Sequence, residues 1–375
     1  MLFSTRRTRV AAQAALAVLA PFLLPTSPVS ALSLQRRATT CNGHPEASLC
    51  SRLYSNVSFV GAHDSYAVGV NNLATNQDYD VTQQLNDGIR MLQMQAHNQS
   101  GVIRLCHTSC LLFDGGSLQD YLGKVKTWLD GNPNDVVTLL IVNSDDLPPS
   151  QYDTVFQAAG LVNISYAPPQ ATVPISQWPT LGSLIDNGTR LITFMDAEAD
   201  FTSVPYIIDE FTNVWETAFD VTDPTFDCNV NRTKGDTTTE MYLINHFLDE
   251  VVSVIATSIA PNKGALNTTN AASGAGSLGA QASECGAEYG RSPNFMLVDF
   301  YEYGGGSVFE VAATLNGVTY DPTTPIATPI PDSSTSNTTS TSSGAGTTLL
   351  RGPGGMWGWT VPLAVGCAIG AWNVL

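Results

Sequence analysis

Positive charge is what this sequence has least of. Sixteen Lys and Arg stand against 33 Asp and Glu in 375 residues, a formal net charge of −17. Six of the sixteen (Arg6, Arg7, Arg9, Arg36, Arg37 and Arg351) lie in terminal segments that read as removable, and no acid leaves with them. What remains carries ten basic and 33 acidic residues, a net of −23. Such a surface repels phosphate backbones and anionic membranes, which excludes DNA or RNA binding. It suits an acidic extracellular medium, where carboxylates are partly protonated. Long apolar runs are also missing from the body of the chain and occur only at its two ends.

Those ends read as processing signals. Residues 1–31 place three Arg before an apolar run, Val10 to Leu24, and close on the small residues Val29-Ser30-Ala31, the pattern of a secretory signal peptide. Residues 321–348 are rich in Thr, Ser and Pro and too poor in large apolar residues to bury a core, so a stalk is expected. Residues 349–375 hold an apolar tail from Met356 to Leu375, preceded by small residues at Ser343-Gly344-Ala345 and a spacer. That order is the signature of a GPI anchor in the outer membrane leaflet, with a single transmembrane helix as the poorer reading. Between the ends lie a short N-terminal segment, 32–53, and one domain, 54–320, expected to be a monomer at the cell surface or wall.

Cys367 belongs to the tail, which leaves Cys41, Cys50, Cys106, Cys110, Cys228 and Cys285. An even number in a secreted chain points to three disulfides, and sequential pairing is the simplest. The spacings fit no zinc-ligand pattern. Seven N-x-S/T sequons, at Asn56, Asn98, Asn163, Asn187, Asn231, Asn267 and Asn337, fit a glycosylated exterior.

Eight apolar, β-branched-rich runs recur: Val57–Val60, Ile89–Met94, Val102–Leu105, Val136–Val142, Arg190–Met195, Val214–Phe219, Met241–Ile244 and Phe295–Val298. Continuous apolar runs are expected of strands covered on both faces. Helical patterns fall between several of them, at Thr82–Asp87, Leu118–Asp130, Ser150–Ala159 and Phe247–Ile259. The Gly-, Ala- and Ser-rich stretch Pro261–Ser292 reads as a long crossover pinned by Cys285. Alternating β and α units with eight strands predict an irregular (β/α)8 TIM barrel.

In such a barrel, chemistry belongs at the C-terminal ends of the strands. Just after the runs stand His63-Asp64, Gln95 and His97, His107, Asn143 with Asp145-Asp146, Asp196 and Glu198, Asp220, Asn245-His246, and Asp299 with Glu302. Four of the five histidines are strand exits, and only His44 is not. Two imidazoles across one pocket serve as general base and general acid for a phosphoryl transfer. The alternative for each histidine is a hydrogen-bonded structural residue, which is as good a reading for His97 and His246. The acidic run Asp196, Glu198 and Asp200 reads more readily as a solvated loop than as a divalent cation site. Tyr301-Glu302-Tyr303 before three glycines reads either as an aromatic rim or as a turn.

Val60-Gly61-Ala62-His63-Asp64-Ser65, Gln83-Gln84-Leu85-Asn86-Asp87-Gly88-Ile89-Arg90 and Leu105-Cys106-His107 together resemble the X-domain core of phosphatidylinositol-specific phospholipase C. With Asn245-His246-Phe247 and Leu297-Val298-Asp299-Phe300-Tyr301, the chain is most similar to secreted fungal PLC-like phosphodiesterases, from about Tyr54 to Tyr303. The resemblance implies an irregular TIM barrel that cleaves a phosphodiester through a cyclic intermediate. It implies His63 as the base, His107 as the acid, Asp299 orienting His63, and Asp64 supporting the acid. The implied substrate is a glycerophosphoinositide or related diester, with Gln95, Asn143, Asp196 and Tyr301 as candidate contacts. No cofactor is implied, with a divalent cation as the alternative.

One departure stands out. Bacterial members carry a phosphate-binding arginine where Gln95 stands, and metal-dependent members carry acidic ligands where Gln93 and Gln95 stand. Both forms of charge stabilisation are missing here, so a cell-surface binding barrel is the rival reading. Glycoside hydrolysis, which needs a carboxylate pair at a set separation, is a third.

Overall fold

The computed structural model describes residues 38–253, 257–322 and 324–331. The expected signal peptide, Arg36-Arg37, Asn337, most of the expected stalk and the apolar tail lie outside the described residues. No helix among the described residues is long and apolar enough to cross a membrane.

Eight parallel strands form one curled sheet: β1 (Phe59–Ala62), β2 (Met91–Gln99), β3 (Val137–Asn143), β4 (Leu191–Met195), β5 (Ile207–Asp209), β6 (Val214–Glu216), β7 (Met241–Asn245) and β8 (Phe295–Val298). They pair in chain order from β1 to β5 and from β6 to β8, and β8 pairs back onto β1 with Phe295 beside Phe59. The path ends at β5 and β6, which no ladder joins among the described residues; Glu210–Asn213 connects them along the chain. The result is an irregular TIM barrel with a single seam.

Side-chain alternation divides each strand between two cores. Phe59, Met91, Leu140, Ile192, Phe194, Ile208, Val214, Met241, Leu243, Phe295 and Leu297 fill the lumen. Val60, Leu92, Leu139, Ile141, Met195, Trp215, Tyr242 and Met296 face the outer layer. The lumen's floor is aromatic. Tyr54 lies 5.4 Å from Phe59 and 5.3 Å from Trp178 (ring centroids), and Phe194 meets Phe295 edge-on. Gly61 keeps the wall thin above that floor, because a Cβ there would lie 2.6 Å from Leu297.

Two expected elements are corrected. Val102–Cys106 is no barrel strand, since it turns back antiparallel on the protruding end of β2, with Leu105 opposite Ala96. Only two residues separate Gln99 from Val102, far fewer than a parallel crossover needs. The true fifth strand, Ile207–Asp209, is too short to show a periodicity. The expected helix Phe247–Ile259 is a hairpin of Asp249–Ser253 with Thr257–Pro261, in keeping with its load of β-branched residues. The glycine-rich crossover contains a regular helix, Leu278–Tyr289, whose N-cap Ser277 accepts from Ala280 N–H.

Disulfides join Cys41 to Cys50, Cys106 to Cys110 and Cys228 to Cys285. Six sequon asparagines, all but Asn337, are exposed. The first residues of the expected stalk lie along the barrel: Ala327 N–H donates to Asp87 and Ile330 N–H to Asp78.

Candidate active site

His63 leaves β1 two residues beyond Gly61 and so faces the lumen, as Asp299 does two residues beyond Leu297 on β8. The strands pair in register, and the two side chains meet: His63 Nδ1 lies 2.9 Å from Asp299 Oδ1. Asn76, in the loop after β1, donates to the same carboxylate oxygen at 3.1 Å. Gln77 donates to the carbonyls of His63 and Val298. No sequence pattern marks Asn76 or Gln77. Phe247, which keeps the lumen parity of β7, stacks on the His63 ring at 3.7 Å with planes 4° apart.

Adjacent residues in an extended chain point to opposite faces, yet Asp64 shares the lumen with His63. Its φ of +39° bends the chain so that both side chains turn inward. Asp64 is fully buried, and its Oδ2 lies 3.9 Å from His63 Nε2 and 3.6 Å from His107 Nε2. His107 Nδ1 donates to the Ala74 carbonyl at 3.0 Å, which leaves Nε2 facing the site. Both Nε2 atoms therefore address the same carboxylate oxygen.

The two glutamines support this frame. Gln93 Oε1 accepts from Asp64 N–H at 2.6 Å. Gln95 Nε2 donates to Asp64 Oδ2, and its Oε1 accepts from Thr108 N–H, each at 3.0 Å. Gln95 thus ties the acid to the loop carrying His107, and the Cys106–Cys110 bridge closes that loop.

Burial is the largest single influence on His63 and lowers its pKa. Asp299, Asp64 and Asp249 together outweigh it and hold the imidazole at about 9. Burial, reinforced by Asp299, raises Asp249 to about 7. Burial lowers His246 to about 4.

The family model PI-PLC X 1 matches residues 49–316. The chain belongs to the PI-PLC X family. An uncharacterized secreted protein of Arthroderma benhamiae is 48% identical over 288 residues, covering 75% of this chain and 65% of that protein. The chain thus spans somewhat less than two thirds of that relative. PI-PLC X domain-containing protein 1 of the same fungus is 46% identical over 304 residues, covering 80% of this chain and 96% of that one. Among solved structures, a phosphatidylinositol-specific phospholipase C from Staphylococcus aureus matches with a TM-score of 0.47 and 14% identity, over 72% of this chain and 94% of its own.

Other candidates in this PI-PLC X barrel are engaged in contacts of their own. Asn143 sits on the outer parity of β3, and its amide is engaged by Leu147, Tyr152 and the Ala197 carbonyl, so it has no atom left for a ligand. Tyr301 is fully buried and donates to Asp87; the positive φ of Phe300, +42°, breaks the alternation and sends it outward. His246 is buried between Gln281 and the Thr269 carbonyl, and His97 pairs with Asp145 at 3.4 Å. Asp196 accepts from Asn143 N–H, whereas Asp200 folds onto Thr202. Among the described residues no three His, Cys, Asp or Glu side chains are grouped to hold a metal ion.

Proposed function

We propose that this chain is a secreted phosphoric diester hydrolase that works by two-histidine acid–base catalysis. The observation that carries it is Asp64 Oδ2 lying between the Nε2 atoms of His63 and His107. His63 Nε2 removes the proton from a substrate hydroxyl next to the phosphate, and that oxygen attacks phosphorus. Asp299 at Nδ1 stabilises the imidazolium that forms. His107, held by Ala74, delivers its Nε2 proton to the leaving oxygen. The product of this step is a cyclic phosphodiester, which water opens with the two histidines exchanging roles. A relative named as a secreted protein supports secretion, and the C-terminal tail supports a GPI anchor on the outer leaflet.

The rival reading, a binding barrel, draws on one observation: Gln93 and Gln95 serve Asp64 and Thr108 and supply no positive charge. Turnover of soluble glycerophosphodiesters by the purified protein separates the two. His63→Ala and His107→Ala are each expected to lower kcat by about 10²–10⁴-fold with the fold intact by circular dichroism. Activity that persists in both variants would sink the hydrolase mechanism.

A further inference from the structure

Resting on that reading, we infer that the diester taken by this site carries a positive charge on its leaving alcohol, a choline- or ethanolamine-type head group.

Four aspartates surround the two imidazoles. Asp64 and Asp299 are buried against them, and each keeps one carboxylate oxygen, Oδ1 of Asp64 and Oδ2 of Asp299, without a hydrogen-bond donor. Asp249 is buried two residues beyond Phe247, which stacks on His63. Its N–H donates to the Val221 carbonyl at 2.9 Å, which brings Asp220 alongside. Asp220 is exposed at the rim, and the charges of both histidines act on it. Even with both imidazoles protonated these groups sum to a net negative charge, and a diester brings one more.

The basic residues of the mouth are engaged elsewhere, although the Arg232 charge also reaches Asp220. Arg232 is paired with Glu216 and Arg104 with Asp114, while the Lys263 ammonium lies over the Phe300 ring at 4.2 Å. No described Lys or Arg forms an ion pair with any of the four aspartates. A cation built into the substrate supplies what the protein withholds, and the negative charge of the aspartates around the imidazoles stabilises it across the site. An uncharged polyol would leave the charge uncompensated.

The chemistry balances. In glycerophosphocholine the glycerol hydroxyl beside the phosphate loses its proton to His63 Nε2, and its oxygen forms the new P–O bond. The P–O bond to choline breaks, and the departing oxygen takes the proton from His107 Nε2. Cyclic glycerol phosphate and choline leave, with no other reactant consumed.

The test compares kcat/KM of the full chain on glycerophosphocholine and glycerophosphoinositol in EDTA. A preference of about tenfold or more for the choline diester is expected, shrinking as salt is raised. Asp249→Asn, and Asp220→Asn as the exposed variant less able to disturb folding, are expected to narrow that ratio mainly through KM. Equal turnover, or preference for the inositol diester, overturns the inference and leaves the hydrolase reading standing. A preference that emerges only with added Ca²⁺ or Mg²⁺ overturns it as well. If neither diester turns over, the hydrolase reading falls, and calorimetric binding of the same two compounds decides the charge selectivity by itself. Tighter binding of the choline diester supports it, and equal or weaker binding overturns it.

Discussion

His63, the proposed base, is held in its acid form. Three carboxylates keep its imidazole protonated to about pH 9, so the fraction able to accept a proton from substrate grows with pH. kcat/KM should therefore climb about tenfold per unit on its acid limb, up to the maximum that the need for a protonated His107 sets. Asp299→Asn removes the strongest of the raising charges, so the acid limb should move to lower pH while the maximum falls for want of support at Nδ1. An unmoved limb in the pH profile would remove Asp299 from its role. At this scale the sequence was readable wherever strand alternation ran on past the strand. His63, Gln93, Gln95 and Asp299 are in step with lumen residues. Asn143 and His246 stand at strand exits too, but on the other parity, and that step separates a site residue from a structural one. Tyr301 escapes even this rule, because the left-handed turn at Phe300 resets the count. Asn76 and Gln77 came from a loop with no periodicity to read.

Among the elements, the loop from Cys106 to Cys110 carries the clearest consequence. It presents His107, and a disulfide across four residues closes it. So small a ring restrains little chain entropy in the unfolded state, so the bridge's main effect is on where the imidazole sits. Replacing both cysteines by serine should lower kcat/KM by about tenfold or more, because a shift of an ångström in a catalytic group is that expensive, while the melting temperature barely moves. A large fall in melting temperature with unchanged kcat/KM would reverse that assignment. Long apolar strands such as β3 and β4 were legible from their composition, and so was the helix Leu118–Gly131. The three-residue strand Ile207–Asp209 was not, because its place is set by pairing with Thr193–Met195 rather than by any pattern of its own.

For the molecule as a whole, buried acids set the dependence of stability on pH. Burial, followed by neighbouring carboxylates, raises Asp249 to about 7. Burial likewise raises Glu302, to about 8. His63, though burial opposes it, is raised by its aspartates to about 9. Each folded-state value lies above the ordinary one, so each contribution is complete at low pH and is lost as pH climbs through the folded value. His246 works the other way: buried and neutral, with a folded value of about 4, its contribution is lost as pH falls from 6.5 towards 4. The melting temperature should peak in mildly acidic solution and decline towards pH 9. A melting temperature that rises steadily from pH 5.5 to 8.5 would contradict this balance.

The last described residues reach the same site by another route. Ala327 is held by Asp87, Thr328 by the Tyr79 hydroxyl, and Ile330 by Asp78. Asp78 is two residues from Asn76, which touches both His63 and Asp299. A pull on the chain beyond Pro331 therefore loads the Ile330–Asp78 bond before any other. From there the load passes into the loop that aligns the base, and only afterwards into the barrel wall. If the proposed anchor holds the chain, catalytic alignment and anchor stand in series, and tension on the anchor acts on the site as a spring acts on a latch.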